Sequence, residues 1–122
     1  IRTENAPAPF QGAPYNQAIR VGDLVFVAGQ LGLKPGESTI EGDITAQTDQ
    51  VLRNLTVILE EAGSSLANLV KTSVFLQDLG DFAAMNEVYA THVGDRPPAR
   101  STVVGAALPS GARVEVEANA HL

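Results

Sequence analysis

Residues 43 to 62 constrain the fold more than any other stretch of this chain. Ile44, Val51, Leu52, Leu55, Ile58, Leu59 and Ala62 recur at helical spacing and fall on one stripe. Asp43 or Thr45 can cap the start of that helix, and Gly63 stands where it should stop. A helix with a single apolar stripe must lay it against another apolar surface. The rest of the chain has to supply that surface, and its pattern says a sheet does so.

The final strand reads most plainly. Over Arg113 to Ala120, Val114, Val116, Ala118 and Ala120 point one way and Arg113, Glu115, Glu117 and Asn119 the other, the period-two pattern of a strand with one core face and one polar face. Gln17 to Arg20, a turn at Val21-Gly22-Asp23 and the apolar run Leu24 to Ala28 read as a hairpin whose second strand is buried on both faces, with Gly29 ending or bending it. Leu69 to Leu76 is a β-branched strand, and Asp78 to Asp81 forms a turn and cap. A second helix runs from about Asp81 to His92 with Phe82, Met85, Tyr89 and Val93 on its stripe. Pro97 and Pro98 break that helix and deliver an extended strand, Arg100 to Ala107, which Leu108-Pro109-Ser110-Gly111 turns into the last one. Ahead of all this, Pro7, Pro9, Pro14 and Gly12 make residues 1 to 15 an extended arm, with a short strand at residues 1 to 4.

The order ββ, helix, β, helix, ββ describes an α+β fold: a mixed sheet with two helices packed on one face. A chain of 122 residues suits one domain covering 1–122. The second sheet face keeps Val and Ala among its polar residues and has no layer to cover it, so it is expected to be a subunit interface. Composition points the same way. At 44% hydrophobic and 18% charged, the chain is more apolar than an average domain, as if part of its surface were hidden in an oligomer.

Several function classes fall away. Eight basic residues against fourteen acidic ones give a net charge of −6, with no basic stripe to meet phosphates, so nucleic acid is an improbable partner. No cysteine is present, which removes disulfides, thiol nucleophiles and thiolate metal sites and fits a reducing compartment. No apolar stretch approaches the roughly 20 residues of a spanning helix, and IRTENAPAPF lacks the order of a signal peptide; the expectation is a cytoplasmic protein with no membrane partner. There is no phosphate-binding glycine loop and no His pair at helical spacing; His92 and His121 read as surface residues, and no metal is expected.

What remains is a small set of polar residues in apolar surroundings. Asn86, between Phe82 and Tyr89, falls on the buried stripe, where its amide must either pin a neighbouring loop or face a ligand. Tyr15 either packs its ring on the sheet or lines a cleft. Arg100 and Glu115 are the central pair. A guanidinium can grip a carboxylate in two-pronged fashion while a nearby glutamate takes a proton from water, or the two simply form a salt bridge, with Glu117 as a competing partner.

At these residues the chain resembles a known family. "APYNQAI" (13–19), "VFVAGQL" (25–31), "FAAMNEVYATH" (82–92), "PPARSTV" (97–103) and "LPSGARVEVEANA" (108–120), with the "TENAP" opening at 3–7, are similar in order to the blocks of the RidA family, of the YjgF/YER057c/UK114 superfamily. The resemblance implies a chorismate-mutase-like fold, a homotrimer with inter-subunit clefts, and hydrolysis of reactive enamines and imines, such as those derived from 2-aminoacrylate, to 2-oxo acids and ammonia without cofactor or metal. It implies that Arg100 binds the substrate carboxylate, that Glu115 activates water, and that Tyr15, Gly29 and Asn86 line the cleft. The activity expected from the resemblance is that of a 2-iminobutanoate/2-iminopropanoate deaminase.

The chain departs from the family pattern in three places. Thr102, among the substrate-facing positions, stands where many members carry cysteine, and Ala28 and Asn16 replace hydroxyl residues. A trimeric carboxylate-binding sensor or chaperone-like protein is the alternative reading, and an RNA-cleaving translation inhibitor a third that the net charge disfavours.

Overall fold

The helix stripe is buried as its spacing requires. In the computed structural model, which describes residues 1–122, α1 spans Ile44–Glu61 and buries Ile44, Val51, Leu52, Leu55, Ile58 and Leu59. The cap is Asp43, whose carboxylate accepts the Ala46 N–H at 2.9 Å. Gly63 closes the helix at φ +85°, a conformation only glycine adopts without strain.

The surface beneath α1 is a five-stranded sheet. Its strands are β1 (Ala18–Val21), β2 (Leu24–Leu31), β3 (Leu69–Leu76), β4 (Ala99–Val104) and β5 (Val114–His121), in the spatial order β1-β2-β5-β3-β4. All neighbours are antiparallel except β3 and β4, which are parallel and joined by α2, Phe82–Val93. The central strand is β5, so its alternation sets the two faces. Val114, Val116, Ala118 and Ala120 are fully buried under the helices with Val25, Val27, Val74 and Leu76, while Glu115, Glu117 and Asn119 lie on the face no helix covers. The mixed sheet with two helices on one face is the architecture expected from the element order.

Three local expectations are corrected. First, residues 1 to 4 form no strand. The arm's backbone is tied instead by the buried amide of Gln17, whose Nε2 donates to the carbonyls of Thr3, Ala6 and Pro7 while its Oε1 accepts the Thr3 N–H at 2.7 Å. With those groups satisfied, the arm needs no sheet ladder.

Second, β2 is not buried on both faces. Val25 and Val27 point into the core, but Leu24 and Phe26 are 44% and 43% exposed beside Ile19 and Val21 of β1. Both helices lie on the other side, so this apolar patch has nothing over it within the chain. Gly29 does not end β2; the register with β5 shifts between Val27 and Gln30, and the bent strand runs on to Leu31. Third, β4 ends at Val104 rather than Ala107, because Gly105 turns the chain at φ +87° and returns its N–H to the carbonyl of Leu76. No helix is long and apolar enough to cross a membrane.

Candidate active site

The candidate residues fall into two clusters on opposite sides of the sheet. Tyr15, Gly29 and Glu115 line a cleft of about 350 Å³ between the arm and the ends of β2 and β5, with apolar walls from Phe10, Leu31, Leu33 and Pro109. Glu115 is flanked on the uncovered face by Leu31 of β2 and Phe75 of β3. Its carboxylate lies directly over Gly29: a Cβ on that residue would come within 2.5 Å of Oε2 and 3.0 Å of Cδ. A side chain at Gly29 would have to push the Glu115 carboxylate aside, so the glycine at this bend leaves that carboxylate its place. The Tyr15 hydroxyl accepts the Phe10 N–H at 2.6 Å and so fixes the 3-10 turn Phe10–Gly12 that walls the cleft. Tyr15 as a residue is 39% exposed rather than packed away against the sheet.

Burial first, and the charge of Glu117 second, push the Glu115 carboxyl above its ordinary value of 4.5. No cation pairs with it; the ion pairs are Arg53–Asp49, His92–Asp49 and Arg113–Asp81. A carboxylate made more basic by burial, beside apolar walls and open space, is equipped to take a proton from water.

The second cluster is built on β4 and α2. In the parallel register Arg100 lies opposite Thr72 and Thr102 opposite Val74. Thr72 and Val74 are fully buried on the helix side, so Arg100 and Thr102 face that side too. There the guanidinium carbon of Arg100 stands 4.9 Å from the ring centre of Tyr89 and 5.8 Å from that of Phe82. Asn86, between these two aromatics on α2, has a buried Oδ1 with no hydrogen-bond partner.

This placement overturns the salt-bridge reading of Arg100 within one chain. Within one chain Arg100 is not on the polar face and pairs with neither Glu115 nor Glu117. The reason is non-local: the parallel neighbour of β4 decides which of its residues turn inward, and β3 turns Thr72, Val74 and Leu76 inward. The two-pronged arginine pair is formed instead by Arg113, whose Nε and Nη2 donate to Asp81 at 3.0 and 2.6 Å and tie the start of β5 to the start of α2.

Nor does Asn86 pin a loop. That task falls to Gln17, to Asn54, which donates to the carbonyls of Leu31 and Leu33, and to Gln47, which bonds Gly42 and Arg113. Gln47 and Asn54 each stand three residues after one apolar stripe residue of α1 and four before the next, and that intrusion into the stripe is the signal that marks them; Gln17 carries no such signal. His92 is not a free surface residue; its ring bonds Asp49 at 2.8 Å and links the two helices.

Comparison with known proteins places this geometry. The family described as Endoribonuclease L-PSP matches residues 3–122. A RutC family protein of Pyrococcus abyssi is 49% identical over 122 residues, covering 99% of this chain and 94% of that protein. The mouse protein named 2-iminobutanoate/2-iminopropanoate deaminase is 42% identical over 119 residues, covering 97% and 87%. The crystal structure of RidA from an Antarctic Psychrobacter superimposes with a TM-score of 0.94 at 42% identity, covering 100% of this chain and 98% of that one. By sequence over nearly its whole length and by fold, the chain belongs to the Endoribonuclease L-PSP family, the YjgF/RidA family.

Proposed function

We propose that this protein hydrolyses 2-imino acids and their enamine tautomers to 2-oxo acids and ammonia, at a site that two copies of the chain complete. The observation that carries this reading is the separation of two unpaired charges, Arg100 on the helix side of the edge strand β4 and Glu115 on the uncovered face. Each is held ready for an opposite or polar partner that its own chain does not bring. Laying the β4 edge of one copy across the uncovered apolar face of the next would join them and bury Ile19, Val21, Leu24 and Phe26. A closed ring of three copies satisfies every such face. The mouse relative's name and the RidA likeness support the same chemistry.

In the proposed reaction Arg100 grips the substrate carboxylate and holds the C=N carbon over Glu115. Tyr15, Gly29 and Thr102 shape the space, and the free Oδ1 of Asn86 accepts an N–H of the substrate. Glu115 takes a proton as water oxygen bonds to the carbon of the protonated imine, giving a neutral carbinolamine. The same carboxyl returns that proton to nitrogen, the C–N bond breaks as ammonia leaves, and Glu115 takes the carbinolamine's hydroxyl proton as the C=O of the 2-oxo acid forms. An imine carbon is already electrophilic, so orientation and one base suffice. The excess of acidic over basic residues, with no basic stripe, disfavours RNA as the substrate.

The test is to generate 2-iminobutanoate with a threonine dehydratase in the presence of semicarbazide. The expected outcome is faster 2-oxobutanoate formation and less semicarbazone when the protein is added. No change across imines of several amino acids would reject the reading.

A further inference from the structure

Arg100 is held in place without being neutralised. A guanidinium brought partly out of water is usually fixed by a carboxylate or by backbone carbonyls, and either occupies the N–H groups that would otherwise meet a ligand. Here the arginine side chains that donate hydrogen bonds within the chain are Arg53 and Arg113, not Arg100. What lies under Arg100 is the ring of Tyr89, 4.9 Å away. An aromatic face attracts the cation through its quadrupole and takes none of its N–H donors.

The ring is itself fixed. Tyr89 is 5% exposed, and its hydroxyl is 2.7 Å from the Oγ1 of Thr72, which is fully buried. Thr72 is the residue opposite Arg100 in the β3–β4 register. Three contacts therefore close a loop: strand pairing joins Thr72 to Arg100, a hydrogen bond joins Thr72 to Tyr89, and the ring face joins Tyr89 to Arg100. Phe82 offers a second ring at 5.8 Å, but it is more exposed and has no hydroxyl to anchor it.

We infer that Tyr89 is the positioning residue for Arg100, with Thr72 locking the ring that keeps all five guanidinium N–H donors free for a substrate carboxylate. This rests on the reading that Arg100 anchors that carboxylate. If Tyr89 were only a core residue, its loss would lower stability and leave Arg100 unaffected.

The experiment compares Tyr89→Leu, Tyr89→Phe and Thr72→Val with wild type. It reads the Arg100 Nε–H resonance by NMR, the affinity for 2-oxobutanoate by calorimetry, and kcat and KM for imine hydrolysis. Tyr89→Leu is expected to move the Arg100 resonance away from its ring-shifted position and weaken 2-oxobutanoate binding by about tenfold. KM should rise by a similar factor while kcat changes less than about twofold, because the anchor acts on ground and transition states alike. Tyr89→Phe and Thr72→Val each keep the ring but lose the hydrogen bond that locks it, so both should fall between Tyr89→Leu and wild type. An unchanged Arg100 resonance and unchanged affinity in Tyr89→Leu, with only Tm lowered, would overturn the inference. Should Tyr89→Leu not fold, the same two readings in Thr72→Val decide, and no change in either is the contrary result. Wild type that hydrolyses no imine and binds no 2-oxobutanoate would reject the proposed function instead, while the resonance still reports whether Tyr89 positions Arg100.

Discussion

Arg100 and Glu115 lie on opposite faces of one sheet. Arg100 shares the helix side with Thr72 and Tyr89, whereas Glu115 shares the uncovered side with Leu31 and Phe75. Side chains on the two faces of a sheet cannot meet on a single small substrate, so a mechanism that uses both needs a second chain. The exposed apolar patch around Phe26 and Val21 is where that chain would sit.

Glu115 should govern both rate and pH dependence. Replacing it with glutamine is expected to lower kcat by about 100-fold or more through loss of the base. Stability should move the other way. Burial holds the folded-state carboxyl above 4.5, so between that value and the raised one the folded chain keeps a proton that the unfolded chain releases. Stability therefore falls as pH rises through that window, and the full cost remains at neutral pH. Urea denaturation should show Glu115→Gln to be more stable than wild type at pH 7, with the difference vanishing below about pH 4.5.

Gly29 should be intolerant of the smallest side chain. A methyl group there would reach 2.5 Å from the Glu115 carboxylate oxygen, the far end of a side chain that can swing aside. Gly29→Ala is accordingly expected to fold with near-normal stability while losing about 10- to 100-fold in kcat, the scale of a misplaced catalytic group. Normal turnover in a folded Gly29→Ala protein would contradict the placement of Glu115 over that residue.

Much of this fold is legible in the sequence because its signals are local. The α1 stripe, the Asp43 cap and the alternation of β5 each depend on residues a few positions apart. The uncovered face follows from counting two helices against one sheet. The face that Arg100 takes is different, since it depends on β4 pairing in parallel with β3, and nothing within Ala99–Val104 encodes that phase. The Arg113–Asp81 pair spans 32 positions and the Ser64–His121 hydrogen bond 57, so both escape a local reading. The family blocks locate Arg100 and Glu115 as candidates, yet only the register separates them.

Gln17 should hold the arm. Its buried amide makes four hydrogen bonds to Thr3, Ala6 and Pro7, and removing it leaves those backbone groups without partners. Gln17→Ala is expected to cost about 2 kcal/mol. Hydrogen exchange at Thr3 should rise with it, and the region before Tyr15 should become open to proteolysis. An arm as protected as in wild type would show that other contacts hold it.

The most direct test unfolds and refolds together two impaired variants, Arg100→Ala, which should bind substrate poorly, and Glu115→Gln, which should turn it over slowly, and assays them at substrate well below the KM of Arg100→Ala. If each site takes its arginine from one copy and its glutamate from the next, random assembly makes about one site in four fully wild type, and about a quarter of wild-type imine hydrolysis should return. A site built within one chain never regains both residues by mixing. Activity that stays at the level of the separate variants, in a mixture shown by light scattering to have reassembled, would contradict the shared site.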